Sequence, residues 1–167
     1  MVAATSETGN ARRQATISLP SERETVITRV FDAPRDLVFE AMTNPEHVKR
    51  WYGLRRNTLT VCEIDLRPGG AWRFVQTSPD GQETAFSGIY REVDPPNRLV
   101  STEEYEAMPG TGYLVTVTFE EQNGTTTMTS HLLYKSQEHR DGHLQSGMEW
   151  GLNETYQRLD ELLATLA

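Results

Sequence analysis

Histidine is the side chain best suited to proton transfer near neutral pH or to metal binding, and the chain has four: His47, His131, His139 and His143. His139 and His143 are four residues apart, a spacing that on a helix places both imidazoles on one side. The residue after His139 is arginine, so the HExxH zinc motif is absent. We therefore predict no metal and no cofactor here, and expect both side chains to be in solvent.

Other groups that could catalyse a reaction are carboxylates. Glu103, Glu104 and Glu106 surround Tyr105, and a carboxylate pair can transfer protons when one member is buried. Like charges on neighbouring residues repel each other and favour water, so this pattern predicts an exposed strand end.

Nucleophilic and phosphate-binding motifs are also missing. Ser87-Gly88 lies within a predicted strand and no GxSxG motif occurs, while Pro68-Gly69-Gly70 is a hairpin turn with no helix after it. His131 could act as an acid or base if it faced the core. It alternates with Met128 and Leu132, which are expected to face the helix, so we expect His131 to face water. Catalytic residues remain unassigned.

Composition narrows the class of protein. The 167 residues include 16 Lys and Arg against 24 Asp and Glu, with a net charge of -8 and no basic stripe, which argues against nucleic-acid binding. Cys62 is the only cysteine, so an intrachain disulfide is excluded. Neither a signal peptide nor an apolar stretch long enough to span a membrane is visible, and a cytoplasmic location is predicted.

The N-terminal part of the chain divides at about residue 22. Residues 1–22 have the composition of a flexible tail, although Ala15 to Leu19 could add an edge strand. Residues 23–167 are predicted to form one domain, which starts with a strand from Glu24 to Phe31. Pro34 and then Asn44-Pro45 mark the starts of two short helices, the second ending near Arg50.

Turn motifs then divide residues 59–134 into about six strands, near 59–66, 71–78, 83–93, 98–105, 112–121 and 125–134. Such short connections join antiparallel neighbours, so these strands form a meander. From Ser136 the pattern becomes helical. An apolar stripe predicts one long helix that lies on the sheet: Leu144, Met148, Leu152, Thr155, Leu159, Leu162 and Leu166. Leu152 is at its centre. Gly147 and Gly151 lie on its flank, where the absence of a side chain would let the sheet backbone or a ligand approach closely.

Four segments in this order resemble the AHSA1-like family of the START/Bet v 1 (SRPBCC) superfamily: Ile27 to Pro34, Arg67 to Phe74, Pro95 to Val100 and Ser146 to Glu149. The resemblance covers about residues 24–163. It implies an α+β helix-grip fold, in which a curved, seven-stranded antiparallel sheet surrounds the C-terminal helix and two short helices follow the first strand. Trp51-Tyr52-Gly53-Leu54 departs from the two tryptophans and Gly-Pro of many relatives, but keeps an aromatic rim.

The resemblance also implies a cavity between sheet and helix, which would bind a lipid-like or polycyclic aromatic molecule. Strand alternation and the helix stripe supply its predicted lining: Trp51, Trp72, Phe74, Phe86, Tyr90, Tyr113, Met128 and Met148. Two alternatives stay open. The same cavity could serve a cyclase- or hydrolase-type enzyme, or the chain could be a protein-interaction domain related to an Hsp90 co-chaperone.

Trp150 does not fit the apolar stripe. At 100° per residue it lies about 160° from Met148, on the face shared with Ser146, Asn153 and Gln157. Tryptophan is enriched where proteins meet partners. We therefore predict that Trp150 points away from the sheet and either folds onto a neighbouring segment or contacts a second copy or another protein.

Overall fold

The protein is described here by a computed structural model that covers residues 14–166. An antiparallel sheet provides one layer and helices cover one of its faces. The elements in chain order are β1 Thr16–Ser18, β2 Glu24–Phe31, α1 Arg35–Thr43, α2 Pro45–Trp51, β3 Thr58–Ile64, β4 Ala71–Thr77, β5 Glu83–Asp94, β6 Arg98–Tyr105, β7 Tyr113–Gln122, β8 Thr125–Leu133, α3 Gln137–Gln145 and α4 Met148–Leu166.

The sheet has the strand order β1-β2-β8-β7-β6-β5-β4-β3. It has eight strands rather than the seven expected, because Thr16–Ser18 pairs antiparallel with Val26 to Thr28 at the edge. The C-terminal part of the predicted tail is therefore ordered as the alternative edge strand, whereas residues 1–13 lie outside the described residues. Register shifts between Leu59 and Val61 and between Tyr90 and Glu92 bend the sheet around the helical layer.

Alternation along β8 shows which face of the sheet is the inner one. Thr126, Met128, Ser130 and Leu132 are buried, and the residues between them are partly exposed. His131 therefore faces outward, as predicted, where its Nε2 pairs with Glu24 across the strand pair. The pairing of β8 with β2 and β7 then identifies which side chains of those two strands face the helices.

The two short helices form where the cap and proline signals predicted them. The side-chain oxygen of Asn44 accepts a hydrogen bond from the Glu46 N–H at 3.0 Å, and Pro45 occupies the first turn of α2. Helix α2 lies against the long helix α4. Helices α1 and α2 connect β2 to β3, the edge strand at the opposite side of the sheet from β1.

The predicted single C-terminal helix is wrong at one point, because it is broken at Gly147. Gly147 has a φ of +86°, a conformation that glycine adopts without strain, and it separates α3 from α4. The predicted close approach at this glycine is absent, since a Cβ there would meet no atom within 4 Å. At Gly151 the nearest atom is Leu54 Cδ2, 3.9 Å away, which is an ordinary contact.

Helix α4 is buried unevenly along its length. In its second half Tyr156, Leu159, Leu162 and Leu163 are buried in the core. In its first half Met148 and Leu152 are only half-buried, which corrects the prediction that Leu152 is a central core residue. The second half of α4 is therefore closed against the sheet, and the first half covers its partners only partly.

A charged pair lies in the closed end. Arg29 is 1% exposed on the inner face of β2, and its guanidinium pairs with Asp160 of α4. The guanidinium carbon also lies 4.8 Å from the ring centroid of Phe31. This pair joins the second half of α4 to the sheet.

Candidate functional site

The partly open end of the molecule is lined by apolar side chains that point inward yet remain half-buried. We call this partly exposed region the apolar cleft and define it by Tyr52, Phe74, Phe86 and Val115 together with Met148 and Leu152 of α4. Side chains on the inner face of a sheet normally lose nearly all contact with solvent when a helix covers them. Their residual exposure shows that the first half of α4 covers this part of the sheet incompletely.

Aromatic rings continue along one wall of this cleft. The ring centroids of Tyr52 and Phe74 are 4.7 Å apart, and those of Phe74 and Trp72 are 5.0 Å apart. Phe86 stacks on Tyr105 with a centroid distance of 5.2 Å. The wall presents ring faces and edges, which suit an aromatic or otherwise flat apolar ligand.

Gly88 allows Trp72 to lie flat on the sheet. The Trp72 Nε1–H donates a hydrogen bond to the backbone oxygen of Thr102 at 3.2 Å, so the indole extends over the intervening strand β5. A Cβ on Gly88 would lie 1.8 Å from that oxygen and 2.7 Å from Trp72 Nε1. Only glycine at this position leaves room for the ring, and the ring then forms part of the cleft wall.

The loop that carries Tyr52 is held from the long helix. The Arg158 guanidinium donates hydrogen bonds to the backbone oxygens of Gly53 at 2.8 Å and Arg50 at 3.0 Å. Burial lowers the pKa of Arg158, but backbone carbonyls at the end of α2 solvate the guanidinium. This contact positions Tyr52 over Phe74.

Polar side chains lie beside the apolar cleft and form what we call the polar cluster: Glu103, Tyr113, Tyr134 and His143. Glu103 and Tyr113 are directly opposite in the register of β6 and β7, and the Tyr113 hydroxyl donates a hydrogen bond to the Glu103 carboxyl. The Tyr134 hydroxyl lies 2.6 Å from His143 Nδ1. The His143 ring packs on Tyr113 with centroids 5.1 Å apart, which joins the two pairs.

Two predictions about these residues are wrong. Glu103 was expected at an exposed strand end, but strand alternation separates the three carboxylates: Glu103 faces inward, while Glu104 accepts the Gly110 N–H at 2.8 Å and Glu106 pairs with Arg73 at 2.9 Å. His143 was expected in solvent. It is enclosed instead, because the break at Gly147 lets α3 turn its last residues onto Tyr113 and Tyr134.

Burial controls the ionisation of this cluster. It raises the pKa of the Glu103 carboxyl, an effect that the hydrogen bond from Tyr113 opposes. Burial and, to a lesser extent, the nearby Glu103 raise the pKa of Tyr134 to about 12. Burial lowers the pKa of His143 to about 4. At neutral pH His143 and the tyrosines are therefore uncharged, and the site favours neutral partners.

The low pKa of His143 predicts a loss of stability in acid. An unfolded chain binds a proton near pH 6.5 and the folded chain only near pH 4, so stability present above pH 6.5 falls as the pH drops to about 4. The shift corresponds to at most about 3 kcal/mol. Urea unfolding at pH 7 and pH 4 should show that His143→Gln loses less stability than the wild type over this interval. An equal loss in both proteins would contradict the assignment of His143 as a buried neutral side chain.

The structure brings only some of the predicted ligand-binding residues to the cleft surface. Phe74, Phe86 and Met148 line it, Trp72 is buried in its wall, and Tyr90 and Tyr113 are buried on the inner face beside it. Trp51 points elsewhere, since its Nε1–H donates to the Ala41 carbonyl at 2.8 Å. Met128 is 1% exposed in the closed core.

The sequence alone placed Glu103 and His143 in solvent and identified Tyr52 only as part of the aromatic rim. The available signal for Glu103 was its strand alternation with Tyr105, which places both side chains on one face. Tyr52 follows Trp51 in the aromatic rim, but which of the two rings faces the sheet depends on the loop held by Arg158. His143 required knowledge of the helix break.

Outside the cleft, Trp150 is 66% exposed, so it points away from the sheet as predicted. A second copy or another protein at this face stays a prediction. Within residues 14–166 no helix is long and apolar enough to cross a membrane. The same part of the chain contains no group of three or more potential metal ligands.

Comparison with known proteins adds a family and a set of similar folds. Residues 32–164 match the family model described as Activator of Hsp90 ATPase homolog 1-like protein. A crystal structure of a protein from Rhodobacter sphaeroides is 28% identical with a TM-score of 0.85, over 92% of this chain and 100% of that chain. A protein from Mycobacterium smegmatis is 26% identical with a TM-score of 0.79, over 89% and 96% of the two chains.

A solution structure of an AHSA1-like protein from Aeromonas hydrophila has the same fold, at 21% identity and a TM-score of 0.68 over 85% of this chain and 95% of that chain. A search of curated proteins found no match. The comparisons therefore concern family and fold.

Proposed function

Because the chain belongs to the Activator of Hsp90 ATPase homolog 1-like family, whose SRPBCC fold commonly binds hydrophobic ligands, we propose that it binds an apolar small molecule in the apolar cleft. The observation that carries this proposal is the unequal burial of α4. Leu159 is 0% exposed, whereas Met148 and Leu152 of the same helix, and the inward-facing Phe74 and Phe86 of the sheet, remain half-buried.

Leaving these side chains partly uncovered forgoes the burial of apolar surface, which is worth about 25 cal/mol per Å². A bound apolar molecule would cover them and recover this free energy. The aromatic wall of Tyr52, Phe74 and Trp72 favours a flat, ring-containing or lipid-like ligand.

Ligand binding should be visible through Trp72, because its indole forms part of the cleft wall. We expect apolar ligands such as naphthalene to quench tryptophan fluorescence saturably and to raise the melting temperature, since a ligand that binds only the folded state stabilises it. Phe86→Ala should weaken binding about tenfold, because it removes an aromatic contact that the bound ligand would bury. Fluorescence titration of both proteins provides the measurement.

Ile89→Ala is the matched control. Ile89 lies on the same strand as Phe86 but is 39% exposed on the opposite face, so its truncation should change the dissociation constant by less than about twofold. Equal weakening by the two substitutions would count against the cleft. A lipid and aromatic library that shifts neither fluorescence nor melting temperature would remove the proposed function altogether.

A further inference from the structure

The polar cluster adjoins the apolar cleft, and this adjacency bears on which ligand the cleft accepts. Tyr113 hydrogen-bonds Glu103 on the inner face of the sheet, and Glu103 shares that face with Tyr105, which stacks on Phe86. One carboxyl thus lies within range of both the polar side chains and the aromatic wall. A ligand with rings against Phe74 and Phe86 would bring its end group towards Glu103.

Glu103 has no cationic partner among the described residues. The two arginines buried nearest the core are already engaged, since Arg29 pairs with Asp160 and Arg140 with Asp141. A ligand carboxylate placed beside Glu103 would meet no free guanidinium or ammonium and would lose its hydration. The cluster is therefore unsuited to a fatty-acid carboxylate or another anion.

Neutral oxygen groups suit it better. The Glu103 carboxyl offers acceptor oxygens, and the Tyr113 hydroxyl can donate one hydrogen bond and accept others. These groups can bind a hydroxyl, which both donates and accepts, or a carbonyl, which accepts. Burial, which raises the pKa of Glu103, disfavours its charged form, and the hydrogen bond from Tyr113 opposes this effect.

We propose that Glu103, together with Tyr113, binds an uncharged hydroxyl or carbonyl oxygen of a ligand whose apolar rings occupy the cleft, and that the site discriminates against carboxylates. This inference rests on the proposed function. It adds the chemical class of the ligand's end group. It also assigns a binding role to Glu103, a side chain that the sequence alone placed at an exposed strand end.

A matched set of two-ring compounds tests it: naphthalene, 2-naphthol, 2-naphthoate and 2-naphthylmethylamine, each measured by equilibrium dialysis at pH 7. In the wild type we expect 2-naphthol to bind about tenfold more tightly than naphthalene, the gain typical of one well-made hydrogen bond. 2-Naphthoate should bind more weakly than naphthalene. The ammonium form of the amine should bind more weakly than 2-naphthol.

Three variants test whether the preference for 2-naphthol over naphthalene depends on Glu103. Glu103→Leu should bind naphthalene as before but bring 2-naphthol to within about twofold of it, because the polar partner is gone. Glu103→Gln should keep most of the preference, since an amide also donates and accepts. Glu104→Leu is the control, because Glu104 faces outward from the next position of the same strand and should leave the preference unchanged.

Three outcomes would overturn the inference while leaving the proposed function in place. The first is naphthalene binding without a preference for 2-naphthol, and the second is a preference that survives Glu103→Leu. The third is tightest binding of the naphthoate or of the ammonium compound, which would indicate a cationic or an ionised site instead. Absence of binding by all four compounds, naphthalene included, would count against the proposed function and the inference together.

Discussion

Asp160→Ala is expected to lower the free energy of unfolding by about 3 kcal/mol, because it leaves the Arg29 guanidinium buried without its carboxylate. Arg29 is 1% exposed and cannot move its charge into water without disrupting β2. Asp160 itself is partly exposed, which places the loss at the lower end of the range for buried ion pairs. Urea denaturation followed by circular dichroism measures it.

Glu161→Ala is the matched control on the neighbouring residue. Glu161 pairs with Arg55 at 2.5 Å, but both side chains are about half exposed, so its loss should cost less than about 1 kcal/mol. The double substitution Arg29→Met with Asp160→Ala should be less destabilising than Asp160→Ala alone, since it removes the uncompensated charge. Equal losses for Asp160→Ala and Glu161→Ala would show that Arg29 does not depend on this partner.

Leu159→Ala should cost about 2–5 kcal/mol, the range for truncation of a fully buried leucine. Leu159 is 0% exposed between α4 and the sheet, in the closed core. The same substitution at Leu152, two turns earlier on the helix, should cost clearly less, because Leu152 is half-buried at the cleft and its truncation enlarges an existing space. Both values come from urea unfolding at a common pH.

The difference between the two leucines is informative about the site as well as stability. If Leu152→Ala destabilises the protein as much as Leu159→Ala, the first half of α4 is fully closed against the sheet and the cleft is absent. If the loss at Leu152 is small and ligand binding changes, Leu152 lines the cleft. The two halves of one helix would then serve different purposes, one for stability and one for binding.

Much of this architecture followed from local sequence signals. The period of two in β2 and β8, the turns at Pro68-Gly69-Gly70 and Asn123-Gly124, and the cap at Asn44 act over a few residues, so a single sequence predicted the strands and both short helices. The resemblance to the AHSA1-like family supplied the arrangement of these elements. The exposed position of Trp150 followed from helix geometry alone.

Tertiary structure decided what lies in the cleft. The helix break at Gly147 depends on a left-handed backbone conformation, and it determines that His143 packs on Tyr113 rather than facing solvent. The inward direction of Glu103 depends on the register of β6 against β7, which no local pattern specifies. The half-burial of Leu152 depends on how far α4 lies from the sheet at each turn, a property of long-range packing, whereas periodicity shows only which face of the helix is apolar.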